Sequence, residues 1–211
     1  MGFQRARTEE QIAGRQEEII SACDTLYLEK GYEAVHFKAI SQITSISRPS
    51  IYNYYKTKED IFLDVLKRDY IRWEKELKTH YAKINKMTKN EFCNFIIKSL
   101  IKHEKYLELI TIYLHPIEIN SSLEKLTSFK TQIYNFFGTI HYGLHKYFPR
   151  FTAQKRQKIL FYFMAMVTGA YSHTHLTEKQ IKAMKNADPD DVIPDFRQVC
   201  RDGLMMLLRD G

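Results

Sequence analysis

Apolar residues recur at helical spacing along nearly the whole chain. Ile12, Ile19, Ile20, Cys23, Leu26 and Tyr27 form the first stripe, running to Lys30 behind a Thr8-x-x-Gln11 capping-box signature. Gly31 stands where helices end in a left-handed residue, and Tyr32 is placed to pack back on the helix. Phe37, Ile40 and Ile43 predict a second helix over residues 37–44, and Ile46, Ile51 and Tyr55 a third that reaches about residue 55. Ser45 to Ser47 break the two, with Ser47 as a cap and Pro49 in the first turn, where a missing amide costs nothing. Thr57 caps a fourth helix whose Glu59 and Asp60 complement the positive end of the helix dipole. Ile61, Phe62, Val65, Leu66, Tyr70, Trp73 and Leu77 carry it toward residue 84.

After a connector at 85–90 the chain turns richer in large aromatics, and further helices are expected near 89–113, 121–148, 152–175, 177–186 and 195–209. Pro116, Pro149, the Asp188-Pro189-Asp190 stretch and Pro194 mark the breaks. With no strand alternation and no internal repeat, the fold class is all-α: a three-helix N-terminal domain over residues 1–57, a connecting helix over 58–84 and a helical bundle over 85–211.

Charge singles out one stretch. The chain of 211 residues has a formal net charge of +7, yet residues 1–70 hold 10 Lys/Arg against 11 Asp/Glu and the remainder 22 against 14. Global basicity therefore says nothing about the N-terminal domain. Between His36 and Lys58, however, stand Lys38, Arg48, Lys56 and Lys58 and no acid, while acidic residues crowd both flanks. Two short helices, a tight turn and no negative charge describe a helix-turn-helix suited to phosphates. The first ten residues lack the apolar core of a signal peptide, and the apolar stretch 160–171 is too short to span a bilayer, so a cytoplasmic location is expected. Cys23, Cys93 and Cys200, an odd and widely spaced set, read as reduced core thiols.

The ordered run Gly31-Tyr32, Phe37-x-x-Ile40, Ile46-Ser47-x-x-x-Ile51-Tyr52-x-x-Tyr55 and Lys56-x-Lys58-Glu59-x-Ile61-Phe62 closely resembles the tetracycline-repressor (TetR) family of transcriptional regulators. The resemblance covers roughly residues 12–65. It implies a homodimer whose two third helices enter successive major grooves of a palindromic DNA operator, released when a small molecule enters the C-terminal bundle. It carries over as DNA contacts Lys38, Arg48, Pro49, Ser50, Tyr52, Tyr54 and Lys58. The residues' own chemistry agrees: Arg48 can fork onto a guanine, Pro49 suits a thymine methyl, and Tyr52 and Tyr54 can donate to phosphate. Lys56 and Lys58 add charge at a helix N-terminus. The helical wheel adds Asn53, which can pair with adenine, and the basic arm Arg5 to Arg7 can reach a neighbouring groove. Two departures stand out: His36 occupies the position where family members often carry a capping Ser or Thr, and Arg48-Pro49 replaces small residues at the start of the third helix.

In the bundle, Tyr106, Tyr113, Phe137, His141, Phe161, Met164 and Tyr171 are candidates for an apolar or aromatic effector pocket, against the plainer reading that they pack the core. His141 and His145 share a helical face, but no third ligand joins them, so no metal is assigned, and no cofactor. Family members pair through their last two long helices, here 152–175 and 195–209, which nominates Phe163, Val167, Tyr171, Leu204, Leu207 and Leu208 for the dimer face. The same stripes would serve equally for burial within one subunit. Phosphate-cradling glycine loops, GxSxG and HExxH are absent, which argues against an enzyme. A helical scaffold that has lost DNA binding is the other alternative, opposed by Lys38, Arg48 and Lys58.

Overall fold

The computed structural model describes residues 8–209, so the Arg5–Arg7 arm lies outside the described residues. Helix α1 (Glu9–Lys30) begins at the Thr8–Gln11 capping box and stops at Gly31, whose φ of 79° lies in the region that favours glycine. A single 3-10 turn leads to α2 (Phe37–Gln42), then α3 (Arg48–Ile51) and α4 (Lys58–Lys83). The remaining helices are α5 (Lys89–Lys102), α6 (Leu114–Asn120), α7 (Leu123–Tyr147), α8 (Ala153–Thr174), α9 (Glu178–Ala187) and α10 (Phe196–Arg209). No strand occurs among the described residues. None of the described helices is long and apolar enough to cross a membrane.

The local signals place most boundaries. Thr57 accepts from the Asp60 amide at the start of α4, and Thr88, Thr152 and Thr177 cap α5, α8 and α9. One expected helix, 89–113, is wrong in its second half. Its α-helical part ends at Lys102, a 3-10 turn follows, and Leu109–Tyr113 forms a π-turn that runs into α6. Pro116 falls inside this continuous helical run and not in a break, three residues after the π-turn, where the i→i−4 ladder is already interrupted.

The chain forms two compact units, one ending at Ile71 but including Leu114–Ile133, the other made of Arg72–Tyr113 and Tyr134 onward. Helices α4 and α7 each give their first turns to the first unit and the rest to the second. The first unit buries Ile19, Cys23, Ile40, Ile51, Tyr55 and Phe62. Its Tyr32 ring stacks on Phe62 of α4 at 4.7 Å. In the second unit α10 packs on α8 and α5, around Ile96, Leu100, Phe163, Val167, Leu204 and Leu208.

All three cysteines are free and buried, and burial pushes each thiol above its ordinary value, Cys200 to about 12, so none has thiolate character at neutral pH.

One close approach in the second unit makes a prediction. A Cβ on Gly143 of α7 would lie 2.5 Å from Cζ of Tyr81, a ring only 1% exposed and unable to retreat. Gly143→Ala gains up to about 1 kcal/mol of helix propensity but incurs an overpacking cost of about 1–3 kcal/mol. A net loss is expected in thermal denaturation, whereas Gly14→Ala, where a Cβ meets nothing within 4 Å, should raise the melting temperature.

Candidate nucleic-acid interface

Short helices such as α2 and α3 are held by caps and by their neighbours, since isolated turns are unstable in water. His36 caps α2: its Nδ1 accepts from the Ala39 amide at 3.0 Å, doing with an imidazole what a hydroxyl would do. Thr44 Oγ1 donates to the Ile40 carbonyl at the other end. The turn is then pinned to α1, with Arg15 donating to Ser45 Oγ at 2.6 Å and Ser45 Oγ donating to Glu18 at 3.0 Å. Ser47 is the extended residue ahead of α3, but its hydroxyl pairs with that of Ser50 at 2.9 Å and not with a backbone amide. Its carbonyl accepts from the amides of Ser50 and Ile51, and Tyr55 N donates to Ile51 O, so helical winding continues past Ile51.

This winding divides α3 into two faces. Ile46, Ile51 and Tyr55 point into the core, while Arg48, Pro49, Tyr52 and Asn53 are exposed, as are Lys38 on α2 and Lys56 in the following turn. Tyr52 leans edge-on against Phe37 at 4.7 Å, joining α3 to α2 and steadying its ring. Ser50 and Tyr54 are half-buried, with Ser50 occupied by its bond to Ser47.

Lys58 does not stand with the exposed set. Its ammonium sits 4.0 Å over the Tyr32 ring, donates to the Tyr32 carbonyl at 3.4 Å and lies 3.8 Å from Glu33. It ties α4 to the connection after α1, and reaching a phosphate would break those contacts. The two lysines therefore separate experimentally: Lys56→Ala should flatten the salt dependence of DNA binding by close to one counterion. Lys58→Ala should leave that slope unchanged and lower the thermal midpoint, both readable from salt titrations and melting curves.

A second group of residues, outside the sequence-derived candidates, fixes the start of α4. Asp60, 2% exposed, accepts from the Lys56 amide at 3.2 Å and the Ser122 amide at 2.7 Å. Asp64 accepts from Tyr55 Oη at 2.8 Å and from Lys125 Nζ at 2.6 Å, and that ammonium lies 4.7 Å over the Tyr55 ring. Burial, then the Asp64 carboxylate, push the Tyr55 phenol up, keeping it a donor. Lys67 adds a bond to Ser128 at 2.6 Å. The segment opening α7 thus holds the last residue of the reading unit and the first turns of α4. These partners lie some sixty residues apart in sequence, and only the i, i+4 spacing of Asp60 and Asp64 hints at them.

In the second unit, four of the effector candidates meet. Phe137 and His141 of α7, with Phe161 and Met164 of α8, line an apolar groove of about 320 Å³ together with Gly138, Gln157 and Leu160. His141 Nε2 accepts from Arg156 at 3.2 Å, and burial, then the Arg156 charge, lower its pKa, so the ring is neutral at pH 7. Tyr106 is not in the groove but buried at 1% exposure. Tyr113 lies in the π-turn, and Tyr171 stacks on His175 at 3.9 Å against Phe196.

The dimer candidates differ in burial. Phe163, Val167, Leu204 and Leu208 lie between α8 and α10 in the core of their own subunit, Leu207 is half-buried, and Tyr171 is committed to His175 and Phe196. The apolar surface left outward on these helices is Phe161, Tyr162 and Met206, with Ala165 and Gly169.

Comparison with known proteins agrees with this architecture. The family description "Tetracyclin repressor-like, C-terminal domain" matches residues 67–209, and "Bacterial regulatory proteins, tetR family" matches residues 19–65. The HTH-type transcriptional regulator QacR of Staphylococcus aureus is 26% identical over 117 residues, 53% of this chain. The chain spans 62% of that relative's length, under two thirds. The fold is similar to that of FadR from Bacillus subtilis, solved in complex with stearoyl-CoA, at a TM-score of 0.58 and 15% identity over 92% of this chain and 97% of that one. A TetR transcriptional regulator from Rhodococcus sp. RHA1 gives a TM-score of 0.59 at 13% identity, covering 96% and 99%.

Proposed function

Because this chain belongs to the tetracycline-repressor family of DNA-binding transcriptional regulators, we propose that it is a cytoplasmic repressor that binds a palindromic operator as a homodimer and leaves it when a small apolar or aromatic effector occupies the second unit. The observation that carries this reading is the exposed rim of Lys38, Arg48, Pro49, Tyr52, Asn53 and Lys56 on a turn pinned to α1. A rigid backbone under exposed forks and donors is what base reading requires, because misplacement of the guanidinium by an ångström forfeits the bidentate contact. Arg48 and Pro49 are assigned to bases, Lys38, Tyr52 and Lys56 to phosphates, and Asn53 to an adenine edge.

Two faces of α8 divide the remaining tasks. Gln157, Phe161 and Met164 line the groove toward α7, which suits an alkyl or aromatic effector with the neutral His141 and Gln157 as polar handles. The stearoyl-CoA of the Bacillus subtilis FadR complex shows one apolar chain accepted by a protein of this fold. Tyr162, Ala165, Gly169 and, on α10, Met206 form the outward face assigned to the partner subunit, small residues allowing close approach.

The experiment is an anisotropy selection against randomised duplex DNA over a salt series, with Gly169→Arg beside the wild type. The wild type should enrich a palindrome with half-sites one helical turn apart, about 34 Å. Gly169→Arg should sediment as a monomer and lose the palindrome. Failure of the wild type to enrich any sequence would refute the regulator reading. A dimeric Gly169→Arg would refute only the assigned face.

A further inference from the structure

Away from the groove between α7 and α8, cations gather over the cleft between α4 and α5. Along α4, Arg72, Lys75, Thr79 and Lys83 follow one another at three- and four-residue spacing, so they share one stripe. From α5, Lys102 faces the same cleft, and Glu76 is the one carboxylate in its lining, paired with Lys102 at 3.2 Å. Arg72, Lys75 and Lys83 have no carboxylate partner among the described residues, so the cleft carries a surplus of three positive charges. Like charges brought together on neighbouring turns repel, and a bound anion relieves that repulsion.

The floor is organised as well. The His80 imidazole stacks on Phe95, ring centres 3.7 Å apart and planes within 10°, and its Nε2 is enclosed without a hydrogen-bond partner. The cleft measures about 680 Å³ and adjoins a second hollow of about 490 Å³ that shares Glu76, His80, Phe95 and Lys102 with it. The adjoining hollow is electrically balanced, with Lys98 and Lys102 against Glu76 and Glu91, so the charge surplus is confined to the α4 side.

We propose that this cleft is a second small-molecule site, distinct from the apolar groove, that takes a compound bearing two or more linked phosphates, the phosphates among Arg72, Lys75, Lys83 and Lys102 beside the stacked His80 and Phe95 rings. Linked phosphates fit better than a single carboxylate or phosphate, because three uncompensated cations on long, flexible side chains can converge on several anionic groups at once, which a single carboxylate or phosphate does not supply. Lysine and arginine differ usefully here: Arg72 offers a planar fork and the lysines point charges, a mixture that tracks a flexible phosphate chain. The proposal is independent of the regulator reading, since neither Arg48 nor the α7–α8 groove takes part.

The test is isothermal titration calorimetry of the full-length protein with sodium tripolyphosphate, then with a nucleoside triphosphate, at fixed ionic strength and with sulfate as the control for bulk charge. Saturable binding of one molecule per protomer is expected, weakened at least tenfold by Lys75→Ala/Lys83→Ala, two exposed positions whose loss leaves folding intact. Binding by Arg48→Ala/Lys56→Ala should match the wild type. The His80 imidazole resonances should shift on saturation. Equal affinity for the two probes assigns the site to linked phosphates alone, and tighter nucleotide binding adds the base to the contact. Heats no larger than those of sulfate would overturn the proposal. So would binding lost in Arg48→Ala/Lys56→Ala but kept in the lysine pair, or unmoved His80 signals.

Discussion

Arg48→Ala is expected to erase the preference at one base pair in each half-site and leave the others intact. A bidentate guanidinium–guanine contact supplies about 1–3 kcal/mol of discrimination, roughly five- to 150-fold, and a symmetric dimer loses it twice. Arg48 is exposed while Ile51, one turn further on, is fully buried and fills the core by itself, so truncating Arg48 removes the contact without disturbing the core. Arg48→Lys sharpens the test, because lysine keeps the charge and loses the fork. The salt slope should then stay at the wild-type value while the base preference falls, which separates base reading from phosphate attraction. A randomised-site selection in which Arg48→Ala returned the wild-type sequence would remove Arg48 from the reading set and leave Asn53 as the candidate.

How much of this was legible in the chain depended on the range of the forces involved. The Thr8 box, Gly31, the Thr57 cap and the α3 face split are decided within four or five residues, and periodicity and cap chemistry found them. His36 shows the limit of residue-type rules, since an imidazole nitrogen accepts from an amide as a hydroxyl oxygen does. The contacts of Lys58 were not legible either, because Tyr32, twenty-six residues away, offers its ammonium a ring face and a carbonyl. On α8, apolar residues nearly encircle the helix, and a period of 3.6 cannot say which of Phe161, Tyr162 and Phe163 meets the core. Only tertiary packing chose Phe163 for the core and left its two neighbours outside. The same holds for residues 114–133: their helical pattern was plain, but membership of the N-terminal unit rests on Asp60, Asp64 and Lys67 meeting Ser122, Lys125 and Ser128.

That last group carries the largest expected loss of stability. Asp64→Ala strands two donors at once, the Tyr55 phenol in a ring only 1% exposed and the Lys125 ammonium in a side chain 19% exposed. Breaking a buried pair by removing one partner costs about 3–5 kcal/mol, and partial access of water to Lys125 brings the expectation here to about 2–4 kcal/mol. Asp64→Asn keeps an acceptor for Tyr55 and loses the charge, so it should fall between Ala and wild type. Adding Lys125→Met to Asp64→Ala should recover part of the loss by removing the stranded ammonium, a coupling that a double-mutant cycle from urea unfolding would measure. Purely additive losses would show that Asp64 and Lys125 do not act as a pair in solution. If they do act as a pair, the opening of α7 is fastened to Tyr55 at the end of the reading turn. Operator affinity should then fall in Asp64→Asn by more than its fraction of unfolded protein explains, because the α3–α4 turn that carries Lys56 has lost its anchor.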